Sequence, residues 1–244
     1  MNPIEAWLAR AGEHRQRTGR PLVSLCYAQS LDGSLSERRG QATALSGPES
    51  RRLTHRLRSQ HDTILVGIGT VLADDPSLTV RYVENPGTST LSAFPRHPRP
   101  VIVDSRLSFP LTARMLRDNP NPPWLAVTEL APPERVEAAG RAGLELIRQR
   151  SDPEGHVPLG PLLEELAARA VSSVMVEGGA RILSAFLRQG LADLLCVTVA
   201  PRYIGGLNVI DTPGVEDGFP AISDVHYERL GEDMILYGRL IRQA

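Results

Sequence analysis

The twenty residues from Asp62 to Arg81, DTILVGIGTVLADDPSLTVR, hold a strand, a glycine turn and an acidic helix-loop in one unbroken run. Ile64, Leu65 and Val66 have the length and β-branching of a short buried strand. Gly67 and Gly69 then remove side chains where a ligand can approach the backbone. Thr70 reads as the opener of a helix whose free N–H groups attract phosphate, and Asp74, Asp75 and Pro76 end it abruptly. A Gly-x-Gly after a strand also serves tight packing alone, so the run points to binding rather than to a reaction.

Working outward, a second unit of the same kind lies at Ser173 to Arg188, SVMVEGGARILSAFLR. Val174 and Val176 run into Gly178-Gly179, after which Ile182, Leu183, Phe186 and Leu187 recur at helical spacing and Gly190 stands as a C-terminal cap. The glycine pair would let a pyrophosphate rest against the peptide plane and the first helical turn. Close packing explains these glycines equally well, but it does not explain the carboxylate of Glu177 at the strand's end. Between the two units, Arg99 to Arg106, RPVIVDSR, is a third buried strand ending in Ser105 and Arg106. A hydroxyl beside a guanidinium suits the ribose 2′-phosphate that separates NADPH from NADH, whereas the neighbouring Asp104 weighs toward NADH.

Composition narrows the chemistry. All 27 basic residues are arginine, which leaves no amine for a Walker-type phosphate loop, a Schiff-base aldolase or pyridoxal chemistry. Cys26 and Cys196 form no Cys-x-x-Cys, and His226-Tyr-Glu228 lacks the cysteine pair that would complete a zinc deaminase. His14, His55, His61, His97 and His156 show no metal spacing and read as surface or packing residues, so no metal is expected. A net charge of −1 argues against nucleic acid as main partner. Residues 1–20 are too polar for a signal peptide or membrane span, and the two isolated cysteines fit a reducing, cytoplasmic setting.

The ordered motifs resemble the pyrimidine reductases of riboflavin biosynthesis, in their stand-alone form, whose fold is like dihydrofolate reductase. Pro21 to Gly33, PLVSLCYAQSLDG, is similar to the family's first strand and A-x-S-L-D-G turn; LRSQHDTILVGIGTVLADDPSLTVR, PVIVDSR, VMVEGGA and VAPRYIGG follow at family-like separations. The resemblance implies NADPH contacts at Ala28, Thr70, Asp74, Ser105, Gly178, Gly179, Ala180, Arg181 and Ile182. It implies substrate contacts at Arg58, Leu78, Arg81 and Glu177, the two arginines suiting a phosphate. Where bifunctional bacterial members often carry Ser and Trp before the first helix, this chain has Ala42, Thr43 and Ala44. The implied reaction is hydride transfer from NADPH to C1′ of a phosphorylated ribosylamino-pyrimidine, diamino or deaminated, opening the sugar to a ribityl chain. Glu177 and Asp74 are the candidates for holding hydroxyls or aiding protonation, and no nucleophile is assigned. The family implies a homodimer through the C-terminal sheet region. Asp32 reads as a turn residue in Asp-Gly.

The expected architecture is α/β: a helical extension over residues 1–20, then a single reductase domain over 21–244. This is a three-layer, dihydrofolate-reductase-like domain with a mixed, mostly parallel sheet flanked by helices and an antiparallel C-terminal hairpin. Strands are expected at 22–27, 64–66, 101–103, 124–127, 144–147 and 194–199, with the hairpin at 225–230 and 234–241. Ser46-Gly-Pro-Glu49 reads as a capping box for a helix burying Leu53 and Leu57. Pro132-Pro133 and Pro161 open crossover helices, and residues 84–100 read as a surface excursion. Two other readings stay open: a dihydrofolate- or pterin-type reductase of the same fold, and a non-catalytic dinucleotide-binding protein.

Overall fold

The computed structural model describes residues 3–41, 43–81, 96–210 and 220–241. Ala42 and most of the excursion expected over 84–100 lie outside them. In chain order the elements are α1 (Pro3–Leu8), α2 (Ala11–Thr18), β1 (Leu22–Ser30), β2 (Ser34–Ser36), α3 (Pro48–Gln60), β3 (Thr63–Gly67), α4 (Ile68–Asp74) and β4 (Arg99–Val103). There follow α5 (Met115–Asp118), β5 (Trp124–Thr128), α6 (Pro133–Arg141), β6 (Glu145–Gln149), α7 (Leu159–Ala168), β7 (Ser173–Gly178), α8 (Ala180–Arg188), β8 (Leu194–Ala200), β9 (Leu207–Asn208), β10 (Ala221–Leu230) and β11 (Asp233–Ile241).

Nine strands form one sheet in the order β10-β11-β8-β1-β7-β3-β4-β5-β6, and β2 and β9 pair separately. The strands from β8 through β6 run parallel, and the β10–β11 hairpin adds to β8 antiparallel. The expected mixed, mostly parallel sheet with its C-terminal hairpin is the one found.

Alternation along each strand sends successive side chains to opposite faces. Leu65 of β3, Val23 and Leu25 of β1, and Val174 and Val176 of β7 pack with Leu162 and Leu166 of α7 and Leu183 and Phe186 of α8. On the other face, Ile64 and Val66 of β3 meet Val71 of α4 and Met115 of α5. There too, Leu22 and Cys26 of β1 and Met175 of β7 meet Ile4 and Leu8 of α1 and Leu53 and Leu57 of α3. The result is three layers, helices on both faces of a buried sheet, as parallel sheets require.

Local details correct three expectations. The cap of α3 is Gly47, not Ser46: the Gly47 N–H donates to Asp233 Oδ2 at 2.7 Å, so the cap comes from the distant hairpin turn. Helix α4 starts at Ile68, which puts Thr70 inside its first turn instead of at its opening. Helix α7 starts at Leu159, two residues before Pro161. Gly190 does end α8, at φ 58°, with the Gly190 N–H on Leu187 O and the Leu191 N–H on Phe186 O, a Schellman motif.

Candidate active site

Strand β1 outruns one of its neighbours. It pairs with β7 only over Leu22 to Leu25 but with β8 from Ser24 to Ser30. The stretch from Cys26 to Ser30, including Ala28, therefore has no strand partner on the β7 side among the described residues. A crevice opens there, beyond the carboxyl ends of β7 and β3, where the chain's winding order reverses. Open α/β sheets bind ligands at such a point.

The two strand-glycine-helix units meet at this crevice because β3 and β7 are neighbours. Gly179 adopts φ 75°, ψ 120° as the N-cap of α8, and a Cβ added to it would lie 3.4 Å from Thr70 Oγ1. The Thr70 hydroxyl, the Gly178-Gly179 turn and the start of α8 at Ala180 thus share one small region, with the exposed Arg181 at its rim. Gly67 has a different use. A Cβ there would sit 2.8 Å from Ile182 Cγ1, so this glycine lets α8 cross close to β3 and does not receive a ligand. Gly69 has nothing within 4 Å of where its Cβ would be, and it faces open space.

Glu177 occupies a bulge. Leu65 pairs with Val176 and Val66 with Gly178, which leaves Glu177 as the extra residue of β7. Bulges beside sites re-aim side chains, and here the carboxylate meets α3: Arg58 donates Nε to Glu177 Oε1 and Nη2 to Oε2, both at 2.6 Å. Arg58 Nη1 donates to Thr79 O at 2.9 Å. The side chains are 11% and 12% exposed. Burial works to lower the Arg58 pKa, but the adjoining Glu177 carboxylate outweighs it and holds the guanidinium above its usual value. Arg58 is thus not a free cation: it is locked to Glu177, with two of its five N–H groups left over.

Leu78 and Arg81, expected to contact substrate, and Asp74, expected to contact the cofactor, are distributed differently. Leu78 has its side chain in the core, 2% exposed, on a left-handed backbone at φ 50°, a conformation that costs a non-glycine residue about 1 kcal/mol. Only its backbone can face a ligand. Arg81 is exposed, its N–H donating to His55 Nδ1 at 3.2 Å. Asp74 is exposed at the end of α4, with partial burial nudging its carboxyl upward.

The strand end at Asp104 and Ser105, expected to bear on the choice between NADPH and NADH, is clarified. Asp104 is 2% exposed and turned inward, accepting from Ser108 Oγ at 3.0 Å and the Phe109 N–H at 2.8 Å. Its carboxylate is a structural clasp and does not compete for a ribose. Ser105 Oγ accepts from the Val157 N–H at 3.1 Å and keeps its own proton to donate. Asp32 behaves as the turn residue expected: it accepts from Ser30 and Ser34 hydroxyls and from the Ile204 and Gly205 N–H groups, and the Ser30 hydroxyl is the largest of the causes holding its carboxyl low. It ties the LDG turn to the VAPRYIGG segment. Arg202 extends that tie by donating to Ala44 O and Leu45 O at 2.8 and 2.9 Å.

Sequence reasoning missed helix α5 and its neighbour Asn119, which hold the Ser77–Leu78 backbone, and the short pair β2–β9. At four, three and two residues these elements carry no periodicity. It also missed that Arg58 and Glu177 are partners, since no local pattern joins residues so far apart.

Among known proteins, the chain is 37% identical to an Archaeoglobus fulgidus protein named 2,5-diamino-6-ribosylamino-4(3H)-pyrimidinone 5′-phosphate reductase, over 91% of this chain and 100% of that one. Its structure superposes on Acinetobacter baumannii RibD with a TM-score of 0.80 at 27% identity, covering 96% of this chain and 62% of that chain. It also superposes on the Saccharomyces cerevisiae riboflavin biosynthesis reductase Rib7 with a TM-score of 0.72 at 28% identity, covering 98% and 100%. The family model of the RibD C-terminal domain matches residues 21–236, and with the fold, the crevice and the motifs in agreement, the chain belongs to the RibD C-terminal domain family.

Proposed function

We propose that this protein reduces the ribosylamino group of a diaminopyrimidine 5′-phosphate to its ribitylamino form, with NADPH as hydride donor. The observation that carries this reading is the meeting, past the ends of the adjacent strands β3 and β7, of the Thr70/Gly178-Gly179 cradle with the buried Arg58–Glu177 pair. The name of the full-length Archaeoglobus fulgidus relative favours the diamino substrate over the deaminated one.

The residues present fit a nicotinamide dinucleotide. Side-chain-free backbone at Gly178 and Gly179, the Thr70 hydroxyl and the first turn of α8 with Arg181 suit a pyrophosphate. Ser105 retains a donor for a 2′-phosphate, and Ala28 lies on the stretch of β1 that has no strand partner on the β7 side among the described residues. The cofactor supplies the hydride; the protein binds, aligns and excludes water. In this proposal Glu177, fixed by Arg58 in one orientation, accepts hydrogen bonds from sugar hydroxyls, and Arg81, exposed at the rim, takes the substrate phosphate. Asp74 is a second candidate for a sugar hydroxyl. Leu78 contributes backbone contact.

The same proposal includes a homodimer formed through the hairpin. Ile222 and Tyr227 of the edge strand β10 are 40% and 67% exposed, on an edge that would otherwise invite pairing. A cytoplasmic setting, with residues 1–20 as an extension of a reductase domain over 21–244, completes it. The paired free thiols of Cys26 and Cys196 support a reducing environment.

The test mixes the protein with NADPH and, separately, the diamino and deaminated ribosylamino-pyrimidine phosphates, following the loss of reduced-nicotinamide absorbance. Oxidation with the diamino compound is the expected result. Consumption with dihydrofolate instead would move the protein to the other reductase class, and cofactor binding without turnover on any substrate would leave a binding protein.

A further inference from the structure

From Asp75 to Arg81 the chain forms neither helix nor strand, yet Ser77 to Val80 are all buried. Buried backbone needs partners, and here they come from side chains of other elements. Asn119 Nδ2 donates to Leu78 O at 3.0 Å and approaches Ser77 O at 3.5 Å. Asp118 Oδ2 accepts from Ser77 Oγ at 2.6 Å. Arg58 donates to Thr79 O, the Val80 N–H donates to His97 Nδ1 at 3.1 Å, and the Arg81 N–H donates to His55 Nδ1 at 3.2 Å. Five consecutive residues are therefore each held by a side chain from elsewhere, and a segment with no ladder of its own is pinned in one conformation.

Within this clamp Asn119 holds the point of greatest strain. Leu78 sits at φ 50°, which its own side chain disfavours and surrounding structure must enforce. Asn119 is 6% exposed, and its Oδ1 accepts the Asn121 N–H at 2.9 Å. That contact fixes the amide's orientation, so the NH2 group must be the part aimed at the two carbonyls.

We infer that Asn119 is a positioning residue: through the Ser77 and Leu78 carbonyls it sets the course of the segment that ends in Arg81, and so sets where the substrate phosphate is received. The inference rests on the proposed reaction for its substrate, but the clamp itself can be read without turnover. Asn119 touches neither ligand. Its loss should loosen the pyrimidine side of the crevice and leave the NADPH side, built on Thr70 of α4, Gly178-Gly179, the start of α8 and Ser105, as it was.

Asn119→Asp keeps the shape and the Oδ1 acceptor while replacing the donor with an oxygen that repels both carbonyls. Ser77→Ala is the milder partner, removing only the tie to Asp118. Both variants are checked for native melting, then measured for the KM of the pyrimidine phosphate, the KM and direct binding of NADPH, and amide exchange of residues 77–81 by mass spectrometry. With one or two buried hydrogen bonds removed, Asn119→Asp should raise the pyrimidine KM by about tenfold or more, with Ser77→Ala smaller in the same direction. NADPH binding should stay within about twofold, and exchange at Val80 and Arg81 should quicken by about tenfold. Equal loss for both ligands, or unchanged exchange in both variants, overturns the inference. If the wild-type protein turns over no pyrimidine, the proposed reaction falls, and exchange together with NADPH binding still decides the role of Asn119.

Discussion

Arg58 of α3 and Glu177 of β7 share a bidentate ion pair, both contacts at 2.6 Å, through which the bulge at Glu177 is braced by charge against a helix. Removing one partner leaves the other charged and buried. Arg58→Met should therefore destabilise the protein by about 3–5 kcal/mol in urea unfolding, whereas the double variant Arg58→Met/Glu177→Leu should recover most of that loss. Equal destabilisation of single and double variants would show that the pair is not energetically coupled.

Arg81 is expected to matter to one ligand only. Arg81→Met should raise the KM for the phosphorylated pyrimidine by about a hundredfold while NADPH affinity holds within about twofold, the loss of a charge-assisted contact to phosphate. Parallel loss of both affinities would remove Arg81 from the substrate side.

Ser105→Asp should separate the two nicotinamide cofactors. The new carboxylate can still accept from the Val157 N–H, so the turn survives. It would place an anion beside the 2′-phosphate, and NADPH binding should weaken by about tenfold or more while NADH is little changed. Titration of both cofactors by fluorescence decides it.

Gly67→Ala tests packing alone. The added methyl meets Ile182 Cγ1 at 2.8 Å, which should cost about 1–3 kcal/mol. In an Ile182→Ala background the same substitution should cost close to nothing, and a thermal double-mutant cycle measures the difference. Full cost in both backgrounds would place the clash elsewhere.

Two histidines tie stability to pH. His61 is wholly buried: its Nδ1–H donates to Leu57 O at 2.7 Å and its Nε2 accepts from Ser24 Oγ at 3.0 Å. Burial pushes its pKa from 6.5 down to about 4, and burial with Arg58 and Arg81 nearby does the same to His55. Folded pKa values below the unfolded ones mean that the unfolded chain takes up protons first. Stability is thus complete above about pH 6.5 and falls as pH drops from there toward 4, with His61 alone accounting for about 3 kcal/mol. His61→Gln should flatten that slope in urea titrations between pH 7 and 4; an unchanged slope would mean that another group titrates.

How far the sequence carried these conclusions depends on whether each feature is local. Ile64 to Val66 and Val174 to Val176 announce strands because β-branched runs bounded by glycine have few alternatives, and Gly190 announces a cap for the same reason. The capping box at Ser46 misled because a carboxylate from the hairpin, Asp233, reaches the Gly47 N–H first. Gly67 was read as a ligand position because nothing near it in sequence reveals Ile182 overhead. Arg58, expected as a substrate contact suiting a phosphate, is paired with Glu177, a partner supplied by a bulge that only the β3–β7 register exposes. Features carried by one continuous turn were legible, and those made by two distant segments meeting were not.

The sheet order also sets a timetable for the nascent chain. β1 is the first strand to leave the ribosome, yet both of its neighbours, β7 and β8, are among the last elements of the sheet to be made, from Ser173 onward. Until then β1 has no strand to pair with, and β3 lacks its partner on the β7 side, so apolar residues such as Val23, Leu25 and Leu65 wait with open hydrogen-bonding edges. The crevice between β1 and β7 cannot exist before that closure. Synthesis is therefore the period when this protein most needs shelter from its own kind, and ligand can begin to protect it only once β7 has been threaded between β1 and β3.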